Sequence, residues 1–218
     1  MSKPLAIVAG ACPRLGQAMV KSLSKNAYMA FGLNRTVPAG ARNTMAVNLA
    51  DQLQAMMALG ALICIHGAPK LVVQNTAKLV ISPFEDATND DFEAAWRAIV
   101  LSAINLANGV LPEMVDTGGG TFIVSGATAT LRDGKNFAAF ASAKVALRAL
   151  TRSITREYGS KGVYVAHVIL DGIVDTNSSR NLHKMDPANI ADIHLSLANR
   201  SKSTWTHELD LRPMGETF

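Results

Sequence analysis
The residues best suited to chemistry stand near the front of the chain. Leu5-Ala6-Ile7-Val8-Ala9-Gly10-Ala11-Cys12-Pro13-Arg14-Leu15-Gly16 reads as an apolar strand, a turn bracketed by Gly10 and Gly16, and the opening of a helix. A parallel strand that turns into a helix gathers unpaired backbone N–H groups and the positive end of a helix dipole at one point. That suits a phosphate or pyrophosphate. The residues between the glycines complicate the chemistry. Pro13 fixes φ and removes a donor. Arg14 stands where a further glycine would let backbone approach a ligand closely; its guanidinium either obstructs the ligand or grips its phosphate. Cys12 beside a helix N-terminus reads as a thiol of lowered pKa or as a small packed side chain, and packing is favoured. No Gly-Lys-Ser/Thr follows Gly16, which excludes a nucleoside triphosphate P-loop. After the second apolar run the chain reads Leu33-Asn34-Arg35. An NAD site wants an acidic side chain there for the ribose 2′-hydroxyl, whereas a basic one suits the 2′-phosphate of NADP. Arg35, with Arg14 as a helper, therefore favours NADP over NAD.

Strands and helices must alternate to hold such a turn in place, and the pattern does alternate. Strands are expected over 4–10, 28–33, 44–47, 70–75, 121–125, 163–170 and 206–211. Helices are expected over 15–25, 51–65, 89–114, 137–158 and 188–199. Thr88-Asn89-Asp90-Asp91 supplies capping chemistry for the long third helix. The stretch 35–43 carries Pro38 and Gly40 and is short for a helical crossover, so a loop is expected. Residues 51–65 are apolar almost all round, which calls for burial on several sides or a covering partner subunit. Arg148, Arg152 and Arg156 mark a solvated face on the helix over 137–158. The fold class that follows is α/β: a single doubly wound Rossmann-type domain over 1–218, with a parallel, seven-stranded sheet flanked by helices.

Bulk properties narrow the function. The 218 residues are 49% hydrophobic and 17% charged, with a net charge of +4, which describes one globular domain with a sizeable core. No dense Lys/Arg block with interleaved aromatics is present, so nucleic acid is not expected as a partner. The charge-free run Ala55–Ile65 is too short to span a bilayer, and the early apolar residues read as a first strand, not a signal peptide. Two cysteines, Cys12 and Cys64, without a Cys/His cluster, give neither a disulfide scaffold nor a metal site, and a reducing cytoplasm is expected.

The order of motifs resembles the short-chain dehydrogenase/reductase family over nearly the whole chain. Gly10 to Gly16 matches its TGxxxGxG loop, Gln74-Asn75-Thr76-Ala77 its NNAG motif, and Phe140-Ala141-Ser142-Ala143-Lys144 its YxxxK. Asp171-Gly172-Ile173-Val174-Asp175-Thr176 resembles its PGxVxT loop. Runs such as Trp205-Thr206-His207-Glu208-Leu209-Asp210-Leu211-Arg212-Pro213 are similar to an atypical bacterial branch. The resemblance implies hydride exchange between NAD(P) and a small carbonyl or alcohol substrate. It implies cofactor contacts at Gly10, Cys12, Pro13, Arg14, Leu15, Gly16, Asn34, Arg35, Asn48, Leu49, Asn75, Lys144, Gly172, Val174 and Thr176. Asn48 stands where the family often has an aspartate against adenine, and Ala77 replaces the last glycine of NNAG. A homodimer or homotetramer is also implied, through the helices at 89–114 and 137–158, where Ala139, Ala143, Ala146 and Ala149 would allow close approach.

The family's chemistry needs a tyrosine acid, a lysine that lowers its pKa and holds the nicotinamide ribose, a serine on the substrate oxygen and an asparagine on a proton path. Only the lysine is present, as Lys144. The tyrosine position holds Phe140, the serine position Ala127, with Ser125 and Thr128 close by, and the asparagine position Ile99. Ser125, Thr128 and Lys144 are the catalytic candidates. Thr128, Asp171 and His183 are the polar residues that could replace the tyrosine. Two functions follow: an NAD(P)-dependent oxidoreductase with a degenerate tetrad, or a non-catalytic dinucleotide-binding or assembly protein on the same scaffold.

Overall fold
A computed structural model describes residues 3–37, 40–132, 134–174 and 183–216. The elements in chain order are β1 (Leu5–Ala9), α1 (Leu15–Lys25), β2 (Met29–Asn34), β3 (Thr44–Ala46), α2 (Gln52–His66), β4 (Leu71–Gln74) and α3 (Asn89–Trp96). They continue with a π turn (Arg97–Leu101), α4 (Ser102–Asp116), β5 (Gly120–Ser125), α5 (Ala138–Tyr158), β6 (Val163–Leu170), β7 (Ile173–Val174), β8 (Lys184–Met185), α6 (Pro187–Ala198) and β9 (Glu208–Leu211). The main sheet has seven strands, ordered β3-β2-β1-β4-β5-β6-β9, and every pairing in it is parallel. Reversal of strand order occurs between β1 and β4, and the crevice outside the strand C-termini opens there.

Parallel strands are covered on both faces, which explains their unbroken apolar runs. All of β1 and all eight residues of β6 are buried. One core lies between the sheet and α2, α4 and α5, built on Leu59, Ile99, Leu106, Phe122 and Leu147. The other lies against α1 and α6, built on Met19, Leu23, Tyr164 and Ile190.

Several expectations change in detail. The described residues of 35–43 hold no helix, as the short linker requires. The long third helix is interrupted: at the π turn the Ser102 N–H reaches back to the Arg97 carbonyl, where the Ser102 hydroxyl also donates (3.0 Å). The Ile99 carbonyl accepts from Gln74 Nε2 (3.2 Å) instead of staying wholly within the helix. A two-stranded ribbon pairs β7 with β8, two short strands that are not among the expected ones. Helix α2 is not enclosed. Leu53 and Met57 are each 67% exposed, because only the face carrying Ala55, Leu59 and Leu62 meets the core. Ala139 and Ala143 of α5 are buried inside the subunit, so they do not line an intersubunit face; Ala146 and Ala149 lie nearer the surface.

Candidate functional site
The Gly10 turn has the geometry that its glycines demand. Gly10 has φ +82°, and a Cβ there would stand 2.6 Å from the Asn75 carbonyl oxygen. A Cβ on Gly16 would collide with the Gly10 carbonyl. The turn is tied down from both neighbouring strands. The Gly10 and Ala11 N–H groups donate to the Leu33 carbonyl (2.8 and 3.2 Å), and Asn75 Nδ2 donates to the Gly10 carbonyl (3.2 Å). Asn75 thus positions the turn.

A cavity of about 390 Å³ opens over this turn, within the usual range for a small-molecule site. Gly10, Cys12, Asn34, Arg35, Asn48, Leu49 and Asn75 all line it, as the sequence predicts. Asn48 folds its side-chain oxygen onto the Ala50 N–H (3.2 Å). Two cations that sequence reasoning missed, Lys78 and Arg97, line the same cavity, and among the described residues no aspartate or glutamate does. Neither cation carries a local signal: Lys78 follows β4 in a stretch without regular structure, and Arg97 opens the π turn.

Other predicted contacts lie elsewhere. Pro13 and Arg14 line a separate groove between α1 and α6, with Lys21, Lys25, Asp186 and Asp192. Arg14 therefore does not help Arg35, because α6 packs beside the start of α1 and gives that side chain its own groove. Leu15 is buried in the core. Gly172 packs under Pro213, which a Cβ would approach to 2.8 Å, and Val174 pairs with Met185; neither lines the cavity. Thr176 lies outside the described residues.

Two of the three catalytic candidates, Lys144 and Ser125, lie together in a buried cluster. Lys144 is 3% exposed, and its Nζ donates to the Ser125 carbonyl (2.8 Å). It is not the solvated lysine of a helix surface. Burial pulls its pKa down to about 8, and the Phe140 ring lies 5.8 Å away. The Ser125 hydroxyl is buried without a hydrogen-bond partner among the described residues. Behind it, His167 is also buried with both ring nitrogens unpartnered, and burial lowers its pKa to about 4, so it stays neutral.

Among the described residues, none of the three polar candidates is placed as a replacement acid. Thr128 donates to Asp171. Burial works to raise the Asp171 pKa, but hydrogen bonds from Arg212 and Thr128 and the charges of Arg132 and Arg212 outweigh it and hold the carboxyl below its usual range. It remains a carboxylate and has no proton to give. His183 is exposed, and its Nδ1 meets the Gly215 carbonyl (2.8 Å).

The buried amine has a measurable consequence. The Lys144→Met variant is expected to be more stable than the wild type at pH 7 by about 1 kcal/mol, because a charged group leaves a site that disfavours charge. The folded pKa lies below the unfolded value, so wild-type stability rises with pH from about 8 to 10.5 as the unfolded chain holds the extra proton. The advantage of the variant therefore shrinks across that window. Denaturant titrations at pH 7 and pH 10 measure both, and a variant less stable at pH 7 would show that the bond to Ser125 outweighs desolvation.

Comparison with known proteins agrees with this fold. A model of the family described as short chain dehydrogenase matches residues 4–187. A solved short-chain dehydrogenase from Rhodopseudomonas palustris is 27% identical, with a TM-score of 0.84 over 97% of this chain and 99% of its own. A metagenomic short-chain oxidoreductase, solved in complex with NADP, shares 20% identity and a TM-score of 0.84 over 98% and 99% of the two chains. At that identity the likeness is one of fold. Dehydrogenase/reductase SDR family member 4 of Bos taurus is 29% identical over 128 residues, which are 57% of this chain and 44% of the bovine protein. The aligned part thus spans less than half of that relative. The match over most of the chain, together with the β1 turn and the sheet order, means that the chain belongs to the short-chain dehydrogenase/reductase family.

Proposed function
We propose that the protein is an NADP-dependent oxidoreductase acting on a small carbonyl or alcohol, without a side chain in the role of the tyrosine acid. The supporting observation is the cavity over the Gly10 turn, lined by Arg35, Lys78 and Arg97 and, among the described residues, by no carboxylate. NADP, when bound, supplies or accepts a hydride. Arg35 would hold the 2′-phosphate, Asn48 and Leu49 the adenine edge, and the Gly10–Cys12 backbone would lie along the phosphates. Water takes the place of the tyrosine in protonating the substrate oxygen, since Phe140 has no proton and Asp171 keeps none. That omission removes a contribution of roughly 10²–10⁴ in rate, so the reaction is slow or confined to activated carbonyls. A homodimer or homotetramer in a reducing cytoplasm is the assembly proposed; both thiols, Cys12 and Cys64, are free.

The engagement of Lys144 with Ser125 favours a second reading, a non-catalytic dinucleotide-binding or assembly protein. Fluorescence titration followed by turnover assays separates the two. NADPH is expected to bind about tenfold more tightly than NADH, and Arg35→Ala to reduce that preference to near one, the loss expected for one charged phosphate contact. Equal affinities in the wild type would overturn the NADP assignment. Binding without turnover of any carbonyl offered would select the second reading.

A further inference from the structure
We propose that the outer face of α2 is an interface between two copies of this chain, paired antiparallel about a two-fold axis so that Met57 of each copy seats over Gly60 of the partner subunit. The inference concerns the homo-oligomer of the proposed function and is independent of the cofactor.

Residues 52–65 hold no charged side chain, and the helix has two apolar sides. Ala55, Ala58, Leu59 and Leu62 face the core. On the opposite side Leu53 and Met57 are each 67% exposed, Met56 59% and Ile65 72%. The middle of that outer side runs Leu53, Met57, Gly60, Cys64, a spacing of four, three and four that forms the seam between two packed helices. Gly60 is exposed in the middle of the helix, with no atom within 4 Å of where its Cβ would stand. Glycine is a poor helix former, and no contact within the described residues requires one there. Close approach of a second helix does require one.

The seam complements itself. With the two-fold axis between positions 57 and 60, each Met57 meets Gly60 of the partner subunit and each Leu53 meets Cys64 of the partner subunit. A large side chain then faces a small one throughout, and the isologous contact closes at two copies. A parallel pair would set methionine on methionine and leave a gap at the glycine. The outer side of α2 exposes on the order of 500 Å² of apolar surface, as much as a lone subunit usually leaves in one patch. Two copies would bury on the order of 1,000 Å², the size at which a specific interface begins. Lys21 of α1, Glu113 of α4, Arg152 of α5 and Asp192 of α6 are exposed, so a charge-free face finds its match in a second α2. A bilayer surface is disfavoured, because helices that lie on one carry Lys or Arg along their polar side and α2 has neither.

Sedimentation equilibrium of the full chain at micromolar concentrations tests the pairing, with far-UV circular dichroism to verify that each variant folds. The Leu53→Glu/Met57→Glu pair changes exposed positions and is expected to halve the wild-type mass. Gly60→Leu places a better helix former in open space, so the fold is retained, but the added side chain fills the seat of Met57 and weakens association about tenfold. Wild-type mass in both α2 variants would overturn the proposal. A loss of mass in Val145→Glu alone, at an exposed position of α5, would keep the homo-oligomer and move its contact to that helix. A wild type that is monomeric at every concentration would overturn the pairing and the homo-oligomer together, and NADPH titration would still read the cofactor separately. A monomer that sediments with phosphatidylserine vesicles would assign the face to lipid and also overturn the pairing.

Discussion

Replacing Asp171 by alanine is expected to lower folding stability by about 3 kcal/mol, the scale set by removing one partner from a buried ion cluster. The carboxylate has no exposed side-chain surface. It accepts from Arg132 Nη2 (2.8 Å) and from Arg212 Nε (2.8 Å), and it pairs with Arg212 Nη2 as well. Those partners lie far apart in sequence, one after the turn that follows β5 and one just beyond β9, while Asp171 sits at the end of β6. The cluster therefore fastens three loops at the edge of the sheet. The guanidinium side chains are 35% and 22% exposed, so water can solvate them once the carboxylate is gone, which keeps the loss from growing further. The pH dependence follows from the direction of the shift. The Asp171 pKa lies below its unfolded value, so its contribution is complete above about pH 4 and is lost as pH falls through the folded pKa. Denaturant midpoints for wild type and Asp171→Asn should differ at pH 7 and converge on acidification. Equal midpoints at pH 7 would mean that the ion cluster adds nothing.

The elements that repeat along the chain were legible because their signals are local. The alternation of strand and helix, the turn between Gly10 and Gly16, and Arg35 directly after β2 depend on neighbours in sequence. Residues placed by distant packing were not legible. Arg14 lies in the right turn, but its groove is set by α6, more than 170 residues away in the chain. Lys144 shares a helix with Arg148, which pairs with Glu208, and nothing in that spacing distinguishes the buried amine from the half-exposed guanidinium. Ala139 and Ala143 have the same composition as Ala149, yet α5 turns the first two inward. The π turn preserves the apolar stripe, so its shifted hydrogen bonds are invisible to periodicity. Lys78 and Arg97 come to line one cavity only in the folded chain.

The Phe140→Tyr/Ala127→Ser variant is expected to reduce carbonyls with NADPH at a kcat/KM about 100-fold above the wild type, the lower end of what a positioned acid supplies. Phe140 already stands beside Lys144, with the ring centroid 5.8 Å from Nζ, so a phenol there would have the ammonium as its neighbour. A nearby positive charge lowers a phenol pKa toward neutrality and makes proton transfer to a developing alkoxide easier. Ala127 enters the turn after β5 in an extended conformation, with its N–H donating to Thr130 Oγ1 (3.1 Å), so serine fits the backbone there without strain. Restoring asparagine at Ile99 alone should do little, because Gln74 already occupies the carbonyl of that residue. Lys144 has a pKa of about 8, so the gain should fade above pH 8 as the ammonium loses its proton. Adding Lys144→Ala to the pair should remove the gain and its pH profile together. A double variant no faster than the wild type would show that Lys144 stays on the Ser125 carbonyl and that the missing acid does not limit this protein.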